Sequence, residues 1–335
     1  MIRKGSMKLF VVSVVALAVL AMSTAALASA AVTGAGSKVA GVVMPNWTNG
    51  FLIKEGITAT YGSVGVEAGL TQLDARSVDF AAVDAPLSPQ QAAACNDCAQ
   101  IPLLLTGVDI AFRIPGVKAL NLSGAVIAEI YAGKITNWSD PKIAELNPKA
   151  RLPKLKITPV YSTEAGGQNW TFTSYLAKVG SKKSGATTTV NFPVGVGEPG
   201  DAGVGGKIAS TKGAIGYVSA SYANALDLTT AAIENRAGDF IPPEVGTFEA
   251  AGVTVKSIEP SGVVDATDPP KTAPKAYPLA MFSYAVVPRA APQMGFVQQF
   301  LNYAVGPGAK LGEAFGIAPM PKAVKTAARS MIGAL

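Results

Sequence analysis

The chain has 335 residues, of which 49% are hydrophobic, and it carries 28 Lys and Arg against 22 Asp and Glu, for a formal net charge of +6. It contains no histidine, which excludes Ser-His-Asp and Cys-His catalytic arrangements and histidine-ligated metal sites. Apolar residues are too abundant for a disordered chain, and no clustered basic patch typical of nucleic-acid binding stands out. We therefore expect a globular protein that is not an enzyme and needs no metal or cofactor.

The first thirty residues resemble a cleavable secretion signal. Arg3, Lys4 and Lys8 precede an almost uninterrupted apolar run over residues 9–20, and small residues then offer cleavage after Ala28 or Ala30. The alternative is a retained membrane anchor, but the Ala-x-Ala ending favours cleavage. Cleavage after Ala30 leaves a mature protein that is only mildly basic. We expect it to be periplasmic or secreted, without stable insertion in a membrane.

Segments rich in β-forming residues alternate with helical ones along the rest of the chain, which predicts an α/β fold. The predicted strands cover residues 57–61, 78–83, 102–112, 155–161, 213–218 and 281–287. The predicted helices cover residues 67–75, 124–132, 170–176 and 296–304. Ser123 is the expected N-cap of the second helix, and Gly133 the residue that stops it. Residues 256–278, rich in Pro, Asp, Ser and Lys, predict a loop.

The two cysteines, Cys95 and Cys98, are spaced C-x-x-C. A local disulfide fits an exported protein with only two cysteines. A redox pair would need a thiol of low pKa at a helix start, and a zinc site would need about four ligands. We expect the disulfide, which closes so short a ring that it would pin a loop rather than hold the fold together.

Several segments together resemble the periplasmic phosphate-binding protein family, whose PstS-like members serve ABC phosphate uptake. These segments are residues 33–36, 78–88, 124–138, 171–178, 190–195 and 213–218, in an order and spacing that match over nearly the whole mature chain. The resemblance implies a type II periplasmic-binding-protein fold, with two α/β lobes joined by a two-strand hinge and the ligand in the cleft. It implies a first lobe of residues 31–108 and 278–335, and a second lobe of residues 109–277.

The resemblance also places the ligand site of the family on this sequence. The candidate positions are Lys38, Val39, Val66, Asp84, Ser162, Gly166, Gly167 and Gln168. Among side chains, only Asp84 keeps the residue of the family, where the matching aspartate accepts a hydrogen bond from protonated phosphate. Ser162 stands where the family has an arginine, and hydroxyl-bearing residues are replaced at Lys38, Val66, Gly166 and Gln168. Gly167 matches a glycine of the family that contributes to the site through its backbone.

These replacements weaken the expected binding of phosphate. The charge-assisted hydrogen bond of the arginine and the neutral bonds of three of the four hydroxyls together contribute roughly 3–7 kcal/mol, which corresponds to about 10²–10⁵ in affinity. We therefore expect an exported protein that captures phosphate or a related oxyanion weakly, with an ABC permease as a partner. Two alternatives remain open: the same fold binds a different polar solute, or it serves as a secreted structural or interaction protein without a small ligand.

Overall fold

The computed structural model describes residues 31–180, 185–290 and 292–335. The predicted signal segment lies outside the described residues. Within the described ranges, the strands are β1 Val32–Gly36, β2 Ala59–Gly62, β3 Phe80–Val83, β4 Cys98–Phe112, β5 Asn121–Leu122, β6 Thr158–Ser162, β7 Val196–Glu198, β8 Ala214–Ser219, β9 Ala232–Glu234, β10 Phe240–Ile241 and β11 Ala280–Pro288. All six predicted strands are present, with ends shifted by a few residues.

Helices lie between most of these strands. They are α1 Lys38–Gly41, α2 Met44–Glu55, α3 Val66–Asp74, α4 Pro89–Cys95, α5 Gly124–Tyr131, α6 Pro141–Leu146, α7 Gly167–Val179, α8 Gly200–Ser210, α9 Ala220–Ala225, α10 Val245–Gly252, α11 Met294–Ala304, a 3-10 helix Pro307–Phe315 and α12 Lys322–Gly333. Ser123 caps α5 as predicted, since its hydroxyl accepts a hydrogen bond from the amide of Val126. In the described ranges, no helix is both long and apolar enough to cross a bilayer.

One large sheet of eight strands has the order β2-β1-β3-β11-β4-β8-β6-β7. The pairs β1–β2, β1–β3, β6–β7 and β6–β8 are parallel, whereas β11 runs antiparallel to both β3 and β4. Strands β3, β4, β8 and β11 are almost entirely buried, as expected where helices cover both faces of a sheet. A small second sheet joins β10, β9 and β5.

Strand β4 connects the two halves of the large sheet. Its 15 residues change partner along their length, pairing with β11 as far as Gly107 and with β8 from Val108 onward. The chain returns beside this point, where the amide of Val108 donates to the carbonyl of Leu279 just before β11. We propose that the lobe boundaries lie here, near residues 108 and 278. The fold is thus two α/β lobes joined by two extended segments.

The predicted disulfide joins Cys95, at the end of α4, to Cys98, at the start of β4. The two residues between them, Asn96 and Asp97, both have positive φ angles, of 47° and 67°. This is the left-handed region that Asn and Asp tolerate best after glycine. The bridge therefore closes a tight local turn, in keeping with its expected role.

Candidate functional site

Asp84 follows β3, a fully buried Phe-Ala-Ala-Val strand whose end reaches the junction of the two lobes. Its Oδ1 accepts hydrogen bonds from the hydroxyls of Ser37, at 2.6 Å, and Ser283, at 2.7 Å. Oδ2 has no hydrogen-bond partner among the described residues. Burial raises the pKa of this carboxyl, and the two serine hydroxyls oppose that shift. Asp84 is therefore held in a fixed position with one oxygen available.

Ser37 links Asp84 to the first helix of the chain. The Ser37 hydroxyl also accepts a hydrogen bond from the amide of Ala40, at 2.9 Å, and so caps α1. One hydroxyl thus donates to the carboxylate and accepts from the helix. Because Lys38 and Val39 follow directly, this bond fixes where α1 presents them beside Asp84. Sequence reasoning passed over Ser37 and Ser283, since nothing in their local pattern indicates contact with Asp84.

The loop between β6 and α7 is held by a buried asparagine, Asn169. Its Nδ2 donates to the carbonyls of Ser162, Glu164 and Thr188, and its Oδ1 accepts from the Tyr217 hydroxyl at 2.6 Å. Ser162 is fully buried, and among the described residues its hydroxyl bonds only to the backbone of Glu164. Ser162 therefore shapes the loop from within rather than facing the cleft.

A cavity of about 260 Å³ lies between the two lobes. It is lined by six of the eight candidate residues, namely Lys38, Val39, Val66, Asp84, Gly166 and Gln168. Gly167 lies in an adjoining narrow cleft, packed directly against Asp84. Eight further residues complete the lining of the cavity: Gly65, Glu164, Ala165, Pro199, the start of α8 at Gly200–Ala202, and Tyr222. The sequence analysis did not single these out.

Three helices, α3, α7 and α8, begin at this cavity. Their N-cap residues are Gly65, Gly166 and Pro199, and no side chain caps any of them. Among the described residues, the first three amides of each helix have no hydrogen-bond partner. These amides and the helix dipoles favour negative charge at the point where they meet. The backbone of the site is thus suited to an anion.

Two buried aspartates lie beside the start of α8. Asp201 Oδ2 accepts from the hydroxyl of Ser219 at 2.5 Å and from its amide at 3.3 Å, while Oδ1 is buried and has no hydrogen-bond partner in the part of the chain that the structure describes. Burial raises the pKa of Asp201 to about 6, against the opposing effect of the Ser219 bonds. Asp109, on β4, is also buried, and within the described ranges its Oδ1 has no hydrogen-bond partner either. Burial, and then the charge of Asp201, raise the pKa of Asp109 well above its ordinary value.

An ion pair spans the mouth of the cavity. Lys38 Nζ, on α1, lies 3.4 Å from Glu164 Oε2, in the loop before α7, and both side chains are about half exposed, at 48% and 47%. An exposed pair of this kind contributes only about 0–1 kcal/mol. Lys38 therefore faces the cleft, but its charge is already matched by a carboxylate that the sequence analysis did not pair with it.

Comparisons with known proteins agree with this geometry. Residues 23–307 match the family model of the PBP superfamily domain. The chain is 33% identical over 228 residues to the phosphate-binding protein PstS of Pasteurella multocida, a match that covers 67% of this chain and 66% of that protein, just under two thirds of its length. It is 32% identical over 298 residues to the phosphate-binding protein PstS 2 of Mycobacterium tuberculosis, covering 84% of this chain and 80% of that protein.

Solved structures show the same architecture. The phosphate-binding protein from Stenotrophomonas maltophilia superposes with a TM-score of 0.69 at 21% identity, over 90% of this chain and 94% of that one. A high-affinity periplasmic phosphate-binding protein solved with phosphate bound gives a TM-score of 0.71 at 22% identity, over 89% of this chain and 93% of that one. At this identity the likeness establishes the fold. By the family model and the PstS relatives, the chain belongs to the PstS-like periplasmic phosphate-binding protein family, and it has the two-lobe type II fold of that family.

Proposed function

We propose that this chain is an exported solute-binding protein that captures an oxyanion between its lobes and delivers it to an ABC permease, with phosphate as the first candidate. The observation that carries the proposal is the meeting of three uncapped helix N-termini at one cavity. Their amides offer hydrogen bonds and a positive field without any side chain. Family membership supports the same ligand class.

The affinity for phosphate is expected to be modest. The site lacks the arginine of the family, and Val39, Val66 and Gly166 line the cavity without side-chain donors. Loss of the arginine and of three of the four hydroxyls removes roughly 3–7 kcal/mol. The Asp201 and Glu164 carboxylates also lie close enough to oppose an anion. Backbone amides are thus the main donors, helped by Lys38 when it leaves Glu164.

Asp84 gives the proposed site its selectivity between oxyanions. Its Oδ1 is saturated by two serine hydroxyls, so an incoming ligand meets Oδ2. An ionised carboxylate oxygen only accepts hydrogen bonds. Phosphate, which keeps a proton near neutral pH, can donate to this oxygen, whereas sulfate carries no proton to offer. We therefore expect phosphate to bind in preference to sulfate.

The test is thermal denaturation of the mature protein after bound ligand has been removed by unfolding and refolding. Phosphate at about 100 times its dissociation constant should stabilise the fold by roughly 2.7 kcal/mol, and sulfate at the same concentration should stabilise it less. Asp84→Asn keeps an oxygen for the two serines and presents an amide to the cavity, so it should abolish the preference for phosphate over sulfate. Asp74→Asn, at an exposed position, is the matched control.

Three outcomes would contradict parts of the proposal. Absence of a melting shift with millimolar phosphate would rule out phosphate as the physiological solute. Absence of a shift with every oxyanion and polar solute in a panel would favour a structural or interaction role for the scaffold. An unchanged preference in Asp84→Asn would show that Asp84 only orders Ser37 and Ser283.

A further inference from the structure

The cavity is larger than inorganic phosphate requires. A closed apolar cavity of about 150 Å³ holds benzene, which has six heavy atoms. Phosphate has five, while the cavity between the lobes measures about 260 Å³. A phosphate group seated at the helix N-termini would leave room for several more heavy atoms. The volume therefore fits an oxyanion that carries a short substituent.

The charges around the cavity are unfavourable for a simple oxyanion. Its lining includes one cation, Lys38, and three carboxyl groups, those of Asp84, Glu164 and Asp201. Asp84 is only 5% exposed, yet its Oδ2 has no partner among the described residues. A carboxylate fixed in this way at the wall of a cavity is suited to a ligand that donates hydrogen bonds. A ligand that supplies only negative charge leaves the carboxylates uncompensated.

The ion pair across the mouth indicates how a ligand would enter. Lys38 and Glu164 contact each other over 3.4 Å, so a solute that reaches the amides of α7 and α8 passes between them. Phosphate would form an ion pair with Lys38. Glu164 would then lie next to the bound anion without a counter-charge. A solute that carries one positive and one negative charge would instead give both Lys38 and Glu164 a partner of opposite charge.

We propose that the cleft binds an oxyanion bearing an amine, such as a short aminoalkyl phosphonate or phosphate monoester. Its anionic end lies at the amides of α3, α7 and α8 with Lys38, and its ammonium group contacts Glu164. Asp84 keeps its proposed role of accepting a hydrogen bond from the oxyanion. This inference rests on the proposed oxyanion function and specifies the class of solute.

The test compares two probes of nearly equal size by isothermal titration calorimetry on the mature protein. 2-Aminoethylphosphonate carries the ammonium group, and propylphosphonate carries a methyl group in its place. We expect the amine to bind about fivefold more tightly at low salt, the ratio expected for a half-exposed ion pair, and the ratio to fall as salt screens it. Glu164→Gln should remove this preference and tighten the binding of inorganic phosphate, because Lys38 is released.

The outcomes separate this inference from the function on which it rests. Equal affinity for both phosphonates, with phosphate still bound, would overturn the inference and leave the oxyanion function standing. A preference for the amine that survives in Glu164→Gln would also overturn it, since the ammonium would then lie elsewhere. If neither phosphonate nor phosphate binds, both proposals fail. Glu145→Gln, at an exposed position on α6, should behave as the unmodified chain and controls for the change in net charge.

Discussion

Replacement of Asp109 by valine is expected to raise the free energy of unfolding at pH 7 by about 1–3 kcal/mol, the usual cost of a buried polar group without a partner. Asp109 is 2% exposed, and none of the residues that the structure describes forms a hydrogen bond with its Oδ1. It also faces the charge of Asp201, which disfavours its ionisation. Valine suits a buried strand and removes the charge, so the favourable packing of β4 against β8 and β11 is retained.

The gain should depend on pH. The folded-state pKa values of Asp109 and Asp201 lie above the ordinary value near 3.8. Each carboxyl therefore binds its proton more tightly when folded, so its contribution is favourable at low pH and is lost as pH rises above about 4. For Asp201 this loss levels off above about pH 6. Asp109→Val removes the contribution of Asp109, so its advantage over the parent protein should be small at pH 4 and grow as pH rises.

Urea denaturation followed by circular dichroism at several pH values between 4 and 9 measures this effect. Asp74→Val changes an exposed aspartate and should show no gain that grows with pH. A loss of stability in Asp109→Val at pH 7 would contradict the argument and would indicate that the carboxyl group of Asp109 has a stabilising partner, such as a proton shared with Asp201.

Local sequence patterns predicted the framework of the fold well because they depend on nearby residues. The Phe-Ala-Ala-Val strand before Asp84 and the Ser123 cap are both readable within a few positions. Helix α8 was missed, since Gly200–Ser210 contains four glycines and has low intrinsic helix propensity. Val204 and Ile208 pack against the buried strand β8 and supply the missing stability through tertiary contacts.

The candidate site shows the same difference between what local sequence and what tertiary contacts determine. Asp84 was found through a motif that is continuous in sequence. The pairing of Lys38 with Glu164 and the approach of Asp201 to Asp109 join residues about ninety or more positions apart, and only the three-dimensional fold brings them together. Ser162 is a candidate ligand by its position in the motif, but its hydroxyl donates to the carbonyl of Glu164 and its own carbonyl accepts from Asn169, so the side chain lies within the loop. The resemblance thus selected six residues that line one cavity, whereas the charge balance of that cavity required the structure.

Replacement of Gly167 by alanine is expected to weaken phosphate binding by about 5-fold to 150-fold. A Cβ at Gly167 would overlap the carbonyl oxygen and the Cβ of Asp84, and the first of these is backbone that cannot rotate away. Overpacking of this kind costs about 1–3 kcal/mol, a factor of about 5–150 in an equilibrium constant. Because Gly167 begins α7 and Asp84 belongs to the other lobe as we assign it, the cost falls on the closed arrangement of the cleft, which ligand binding requires.

Phosphate titration by calorimetry measures the loss of affinity, and small-angle X-ray scattering without ligand should show a larger radius of gyration if the lobes separate. The matched control is Gly206→Ala in α8, where a Cβ meets nothing within 4 Å; it should stabilise the helix by up to about 1 kcal/mol and leave the cleft unchanged. If Gly167→Ala retains both the affinity and the scattering profile of the parent protein, closure does not depend on the contact between Gly167 and Asp84. Scattering tests that contact even if phosphate proves not to be the solute, because the overlap with Asp84 exists whatever the cleft binds.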